Sequence, residues 1–96
     1  MRKEEIITSL LTEKQFLKDN FGVVSIALFG SYAKGLEDAE SDVDFLVEFK
    51  EPSYSFLMGL YAFLENKLKA KIEIVRKGPH VSQRFLDTIK NDLIYV

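Results

Sequence analysis

Residues 42–49 read Asp42-Val-Asp-Phe-Leu-Val-Glu-Phe49, and their side chains alternate in kind. Every second residue is valine or phenylalanine, whereas three of the four residues between them carry a carboxylate. Because successive side chains of a β-strand point to opposite faces of the sheet, this alternation predicts a strand with one apolar and one acidic face. Asp42 and Asp44 are therefore expected together on the face that does not enter the core.

Two further strands are predicted on either side of this segment. Residues 23–29 form a nearly all-apolar run rich in β-branched side chains, which predicts a buried strand. Residues 71–75 are short and β-branched and predict a third strand, and residues 93–96 form an apolar tail. Three strands interleaved with helices indicate an α/β layer structure.

Four helical segments accompany these strands. Apolar residues at helical spacing predict a first helix that ends at Gly22, in the left-handed conformation that glycine adopts easily. We expect a short helical turn that closes at Gly35, a helix that starts near Ser53, and a last helix after Gly78-Pro79. The order α-β-α-β-α-β-α contains no linker or repeat, so we expect one domain over residues 1–96.

Length and composition exclude several classes of protein. The chain has 96 residues, of which 47% are hydrophobic, a net charge of −2 and no cysteine. A core can form without disulfides, thiolate metal sites are excluded, and the composition suits a cytoplasmic protein. No secretory signal and no apolar run long enough to cross a bilayer is present, so no membrane association is expected. The slight acidity also argues against direct binding to nucleic acid through its phosphates.

Three carboxylates are the candidate catalytic and metal-ligating residues. Asp is disfavoured in strands, and the like charges of Asp42 and Asp44 call for a divalent cation. Glu73 lies between two isoleucines, so its side chain is expected on the face opposite to theirs. If all three strands bury their apolar faces under the same helices, the Glu73 carboxylate lies on the same face as Asp42 and Asp44. Taken alone, Glu73 is an ordinary solvent-facing strand residue. Oxygen ligands without His or Cys favour Mg²⁺, or Mn²⁺, over zinc. Two such ions clamp the attacking and leaving oxygens of a phosphoryl displacement.

The Gly30-Ser31 pair, which follows the first strand, is a candidate phosphate-binding element. Gly30 allows close approach of the backbone to a phosphate, and Ser31 offers a hydroxyl and an N–H. Lys34 lies one turn onward and either contacts a triphosphate tail or is a solvated surface charge.

These motifs resemble the signature of the DNA polymerase beta-like nucleotidyltransferases. The signature elements are Phe29-Gly-Ser31, a spacer of ten residues, Asp42-Val-Asp-Phe45 and the later Ile72-Glu-Ile74. The whole chain is similar to the minimal nucleotidyltransferase (MNT) group, the antitoxins of HEPN–MNT toxin–antitoxin pairs. The closing Leu-Ile-Tyr-Val and the segment from Gly30 to Gly35 belong to this similarity.

The resemblance implies a nucleotidyltransferase fold with a small mixed three-stranded sheet flanked by helices. It implies that Gly30 and Ser31 bind the phosphates of an NTP and that Asp42 and Asp44 ligate two Mg²⁺ ions. Glu73 stands at the third carboxylate position, as a metal ligand and as the base for the incoming hydroxyl. Many relatives carry Asp there, and Glu is longer by one methylene.

Two functions from different classes remain open on the sequence alone. The first is transfer of NMP, with AMP from ATP as the first expectation, to a tyrosine hydroxyl of a HEPN toxin partner. The second is a catalytically idle antitoxin that neutralises its partner by binding alone. A transferase for small molecules is disfavoured, because such enzymes usually need a second domain to hold the acceptor.

Overall fold

The first helix, α1 (Lys3–Phe21), ends where the sequence supplies a glycine. In the computed structural model, which describes all 96 residues, Gly22 has φ 62° and its N–H donates to the carbonyls of Leu17 and Lys18. This is the predicted left-handed helix end, and it turns the chain directly into the first strand.

The remaining elements follow the predicted order. They are β1 (Val23–Phe29), α2 (Gly30–Lys34), β2 (Val43–Phe49), α3 (Tyr54–Leu68), β3 (Ile72–Arg76), α4 (Gln83–Ile89) and β4 (Ile94–Tyr95). Ser53 caps α3 by accepting a hydrogen bond from the N–H of Phe56 at 3.2 Å, which confirms the predicted helix start.

The strands form one mixed sheet in the order β3-β2-β1-β4. β1 runs antiparallel to both β2 and β4, whereas β2 and β3 are parallel and are connected through α3. The parallel pair places the start of β3 beside the start of β2. The antiparallel pair places the end of β1 beside that same start, so three strand ends meet at one edge of the molecule.

The two faces of the sheet are covered unequally. On one face, Val43, Phe45 and Val47 of β2 are fully buried in a cluster of sixteen core residues to which α1 and α3 contribute. On the other face, Leu46 packs with Phe29 and with Ile89 of α4 in a cluster of three. The predicted alternation of β2 is therefore confirmed. Asp44, at the start of the strand, shares the second face with Leu46.

β3 is an edge strand that a tyrosine of α3 holds in place. The N–H of Ile74 donates to the hydroxyl of Tyr61 at 3.0 Å. Because an edge strand lacks a second neighbouring strand, this bond satisfies a backbone group that the sheet leaves free. It fixes the backbone directly beside Glu73.

Two features differ from the predicted fold. The sheet has four strands instead of three, because the apolar tail pairs with β1: Ile94 lies opposite Leu28, and Tyr95 lies opposite Ala27. β1 is also not buried throughout, since a register irregularity between Val23 and Ser25 leaves Val24 58% exposed. No helix is both long and apolar enough to cross a membrane.

Candidate active site

A row of three residues crosses the sheet at its acidic edge. Phe29 is the register partner of Asp44 across the antiparallel pair, and Asp44 is the partner of Glu73 across the parallel pair. Residues directly opposite in neighbouring strands lie on the same face. Asp44 and Glu73 therefore share one sheet face, as the sequence predicts.

Phe29 is the apolar member of this row and belongs to the small second cluster, which therefore borders the carboxylates. It is buried, and Phe85 of α4 meets it edge to face with ring centroids 5.9 Å apart. Asp44 is half-buried at this boundary, whereas Glu73 is exposed. One carboxylate thus borders the core while the other faces solvent.

Asp42 lies just before β2, and a tight turn holds the chain that leads to it. The Asp38 N–H donates to the Ser41 hydroxyl at 2.9 Å, and that hydroxyl donates to the Asp38 carboxylate at 3.2 Å. The Asp38 carboxylate also accepts from the Glu40 N–H at 2.9 Å. Asp and Ser three residues apart are typical of turns in which side chains hydrogen-bond to the local backbone.

Gly30 lies directly against the Asp44 carboxylate. Its φ is 76°, in the left-handed region, and a Cβ at this position would collide with Oδ2 of Asp44 and stand 3.1 Å from Cγ. Glycine is therefore required at this position for two reasons: the backbone is left-handed, and a side chain would collide with Asp44. The phosphate-binding candidate and the metal-ligand candidate are thus direct neighbours in space.

The electrostatics of the three carboxylates are coupled at Asp44. Partial burial raises the pKa of Asp44 above its ordinary value, and the negative charges of Asp42 and Glu73 raise it further. All three causes make the ionised form of Asp44 unfavourable. A cation at this position would offset each of them.

The chemistry of these donors suits Mg²⁺, because only carboxylate oxygens are present. The side chains nevertheless do not form a ready ligand set: no group of three or more His, Cys, Asp or Glu side chains is arranged to hold a metal ion. The residues thus fit a Mg²⁺ site in composition and charge but not in the present arrangement of their side chains.

The two remaining candidates differ in their surroundings. Ser31 is half-buried next to Gly30, and its carbonyl accepts from the Leu36 N–H at 2.9 Å, which closes the turn after α2. Lys34 is exposed and its ammonium group lies 3.6 Å from the Asp92 carboxylate, in the connection between α4 and β4. No sequence pattern predicts this ion pair, because it joins positions far apart in the chain.

Comparison with known proteins places these motifs in a family. Residues 12–96 match the family model of the nucleotidyltransferase domain. A chain of Methanocaldococcus jannaschii, provisionally named a protein adenylyltransferase, is 43% identical over an alignment of 95 positions, which covers 96% of this chain and 95% of that one. The protein adenylyltransferase MntA of Thermococcus cleftensis is 36% identical over 94 residues, 97% of this chain and 94% of the relative.

Solved structures share the fold. A chain in the crystal structure of a mutant MntA–HpeT toxin–antitoxin has a TM-score of 0.69 at 20% identity, with 99% of this chain and 72% of that chain covered. A chain in the structure of the tri-AMPylated Shewanella oneidensis HEPN toxin with its MNT antitoxin has a TM-score of 0.59 at 21% identity, with coverages of 91% and 70%. These likenesses confirm the predicted nucleotidyltransferase fold.

Proposed function

This chain belongs to the nucleotidyltransferase domain family, and we propose that it transfers AMP from ATP to a tyrosine hydroxyl of a HEPN-type toxin and so acts as the antitoxin. The observation that carries the proposal is the contact between Gly30 and Asp44, with Glu73 beside Asp44 on the next strand. A phosphate-binding turn and a carboxylate group are thereby joined in one site. Such a site can position a nucleotide for phosphoryl transfer, which depends mainly on alignment and charge stabilisation.

The relatives support the choice of nucleotide and acceptor. The relatives from Methanocaldococcus jannaschii and Thermococcus cleftensis described above carry the name protein adenylyltransferase, and they align with 96% and 97% of this chain. One structural neighbour contains a HEPN toxin that carries AMP groups. A cytoplasmic location belongs to the same proposal, because ATP and a partner of this kind must both be accessible.

Asp42, Asp44 and Glu73 would hold two Mg²⁺ ions. When bound, these ions supply positive charge to the triphosphate and to the oxygens that gain charge during transfer. Gly30 and Ser31 bind the phosphates: the absence of a Cβ at Gly30 keeps space open beside Asp44, and Ser31 contributes its N–H and its hydroxyl.

The transfer step uses Glu73 as the proton acceptor. The tyrosine oxygen attacks the α-phosphorus in line, the new O–P bond forms, and the bond to pyrophosphate breaks. The tyrosine proton passes to the exposed carboxylate of Glu73. The products are an AMP–tyrosine phosphodiester and pyrophosphate.

The openness of the site favours a macromolecular acceptor. Neither main cavity of the chain is lined by any of the six candidate site residues. Neither of these two cavities would therefore hold a small acceptor beside the carboxylates. A partner surface that covers Glu73 would supply the acceptor and exclude water from the reacting groups.

The proposal is tested with purified components. The chain is incubated with Mg²⁺, a purified HEPN-type partner and each of the four NTPs labelled at the α-phosphate. We expect label from ATP to appear on the partner, on tyrosine, only when Mg²⁺ is present. If no label reaches the partner from any of the four nucleotides, the alternative function, neutralisation by binding alone, is favoured.

A further inference from the structure

A groove of about 560 Å³ lies between α1 and the first half of β1. It contains none of the six candidate site residues, and β1 extends from this groove to Gly30 over seven residues. At the rise of an extended strand, Val24 in the middle of the groove is about 17 Å from Phe29, the register partner of Asp44. The groove is therefore a separate surface feature at the opposite end of the same strand.

One wall of the groove is an open strand edge. β4 pairs with β1 only at Ala27 and Leu28, and the Val96 N–H reaches the Ile26 carbonyl at 3.0 Å. Because β4 is the only strand on that side, residues 23–25 have no neighbouring strand there. An open edge is a template for the backbone of an added strand.

The groove combines apolar surface with a positive rim. Leu11 and Val24 line it and are 55% and 58% exposed. Lys14, Lys18 and Lys50 also line it, and no Asp or Glu side chain does. Both ion pairs of the chain involve other lysines, so none of these three ammonium groups is neutralised by a carboxylate.

We propose that this groove docks an extended, acidic segment of a partner protein. The segment adds a strand to the free edge of β1, its apolar side chains cover Leu11 and Val24, and its carboxylates face the lysines. A second copy of this chain is a poor occupant, since pairing two β1 edges would bring the lysine rows of two α1 helices together. The inference goes beyond the proposed function, because it concerns a recognition surface remote from the transfer site.

The test uses the full chain without nucleotide and two labelled peptides, one alternating glutamate with valine and one alternating lysine with valine. Fluorescence polarisation should show binding of the glutamate peptide only. Amide chemical-shift changes on its addition should concentrate in residues 22–26. The double variant Lys14→Glu/Lys18→Glu should weaken binding by about ten-fold, since it replaces two attractions by two repulsions. Lys90→Glu, at the residue that follows α4 and outside the groove, is a single charge-reversal control and should leave binding unchanged.

Several results would overturn the proposal. The proposal fails if the glutamate peptide does not bind, or if both peptides bind equally. It also fails if Lys14→Glu/Lys18→Glu and Lys90→Glu weaken binding equally, or if the chemical-shift changes lie outside the groove. A dimer in sedimentation that the double variant disrupts would show that a second copy occupies the groove instead. Since no nucleotide takes part, each of these results leaves the proposed transfer reaction unaffected.

Discussion

Asp44 and Glu73 are Cα partners in the parallel register between β2 and β3, and Asp44 is half-buried while Glu73 faces solvent. The same pair of strands thus supplies one carboxylate at the border of the core and one that an incoming acceptor can reach. This difference in exposure suits two different roles. Asp44 is suited to hold charge close to the phosphates, and Glu73 to accept a proton.

Replacing Glu73 should therefore affect rate and leave stability nearly unchanged. Glu73→Gln retains the shape but cannot accept the proton, and we expect the transfer rate to fall by about 10²–10⁴-fold. Its effect on the free energy of unfolding should stay within about 0.5 kcal/mol, because the side chain is exposed. Glu40→Gln, in the exposed loop, is the control and should retain the wild-type rate. A Glu73→Gln protein as fast as wild type would remove Glu73 from the reaction.

Gly30 and Gly35 form a matched pair for testing the contact with Asp44. Both have φ in the left-handed region, 76° and 73°, but a Cβ at Gly35 meets nothing within 4 Å. Gly35→Ala should cost about 1–2 kcal/mol of stability, the conformational term alone. Gly30→Ala should cost about 1–3 kcal/mol more, because its Cβ meets the Asp44 carboxylate.

Urea unfolding measures both costs, and a double variant isolates the contact. In Gly30→Ala/Asp44→Ala the colliding oxygen is absent, so the two changes should be less costly together than their sum. Equal costs for Gly30→Ala and Gly35→Ala would mean that Asp44 does not restrict this position.

The raised pKa of Asp44 predicts an unusual dependence of stability on pH. Because the folded state binds this proton more tightly than the unfolded state, stability falls as pH rises from the ordinary value of 3.8 through the folded pKa. Asp44→Asn removes the ionisation, so without metal it should melt at a higher temperature than wild type at pH 7. That advantage should shrink as the pH is lowered through the folded pKa toward 3.8. A variant that melts below wild type at pH 7, without divalent cations, would contradict this sign.

Mg²⁺ with nucleotide should reverse that order. Wild type should be stabilised by about 2.7 kcal/mol at a ligand concentration one hundred times Kd, because only the folded state binds. Asp42→Asn and Asp44→Asn should lose most of this gain, while Asp38→Asn, in the preceding turn, should keep it. Thermal melting with Mg²⁺ and a non-hydrolysable ATP analogue measures the effect. Equal gains in wild type and in Asp44→Asn would mean that the ion binds elsewhere.

The features that the sequence predicted correctly rest on local rules. The alternation of residues 42–49 determines which side chains enter the core, and β2 follows it. The left-handed conformation of Gly22 and the cap at Ser53 are likewise local properties. The shared face of Asp44 and Glu73 followed from the strand period once the apolar faces were assumed to pack under the same helices.

The features that the sequence did not predict depend on distant partners. β4 is two residues long and exists through its pairing with Ala27 and Leu28, so no local pattern marks it. The ion pair of Lys34 with Asp92 has the same origin. The exposure of Val24 arises from a register irregularity between two strands, which an apolar run cannot reveal.

The central claim is that this site adenylylates a protein partner, and the intact mass of a co-expressed HEPN-type partner tests it most directly. With the wild-type chain, the partner's mass should increase by one or more AMP units, located on tyrosine by fragmentation. With Asp42→Asn or Asp44→Asn, folded to the same extent by circular dichroism, the added mass should vanish and the partner should regain its toxicity. An unmodified partner that wild type and both variants silence equally would contradict the account and establish that binding alone is the function.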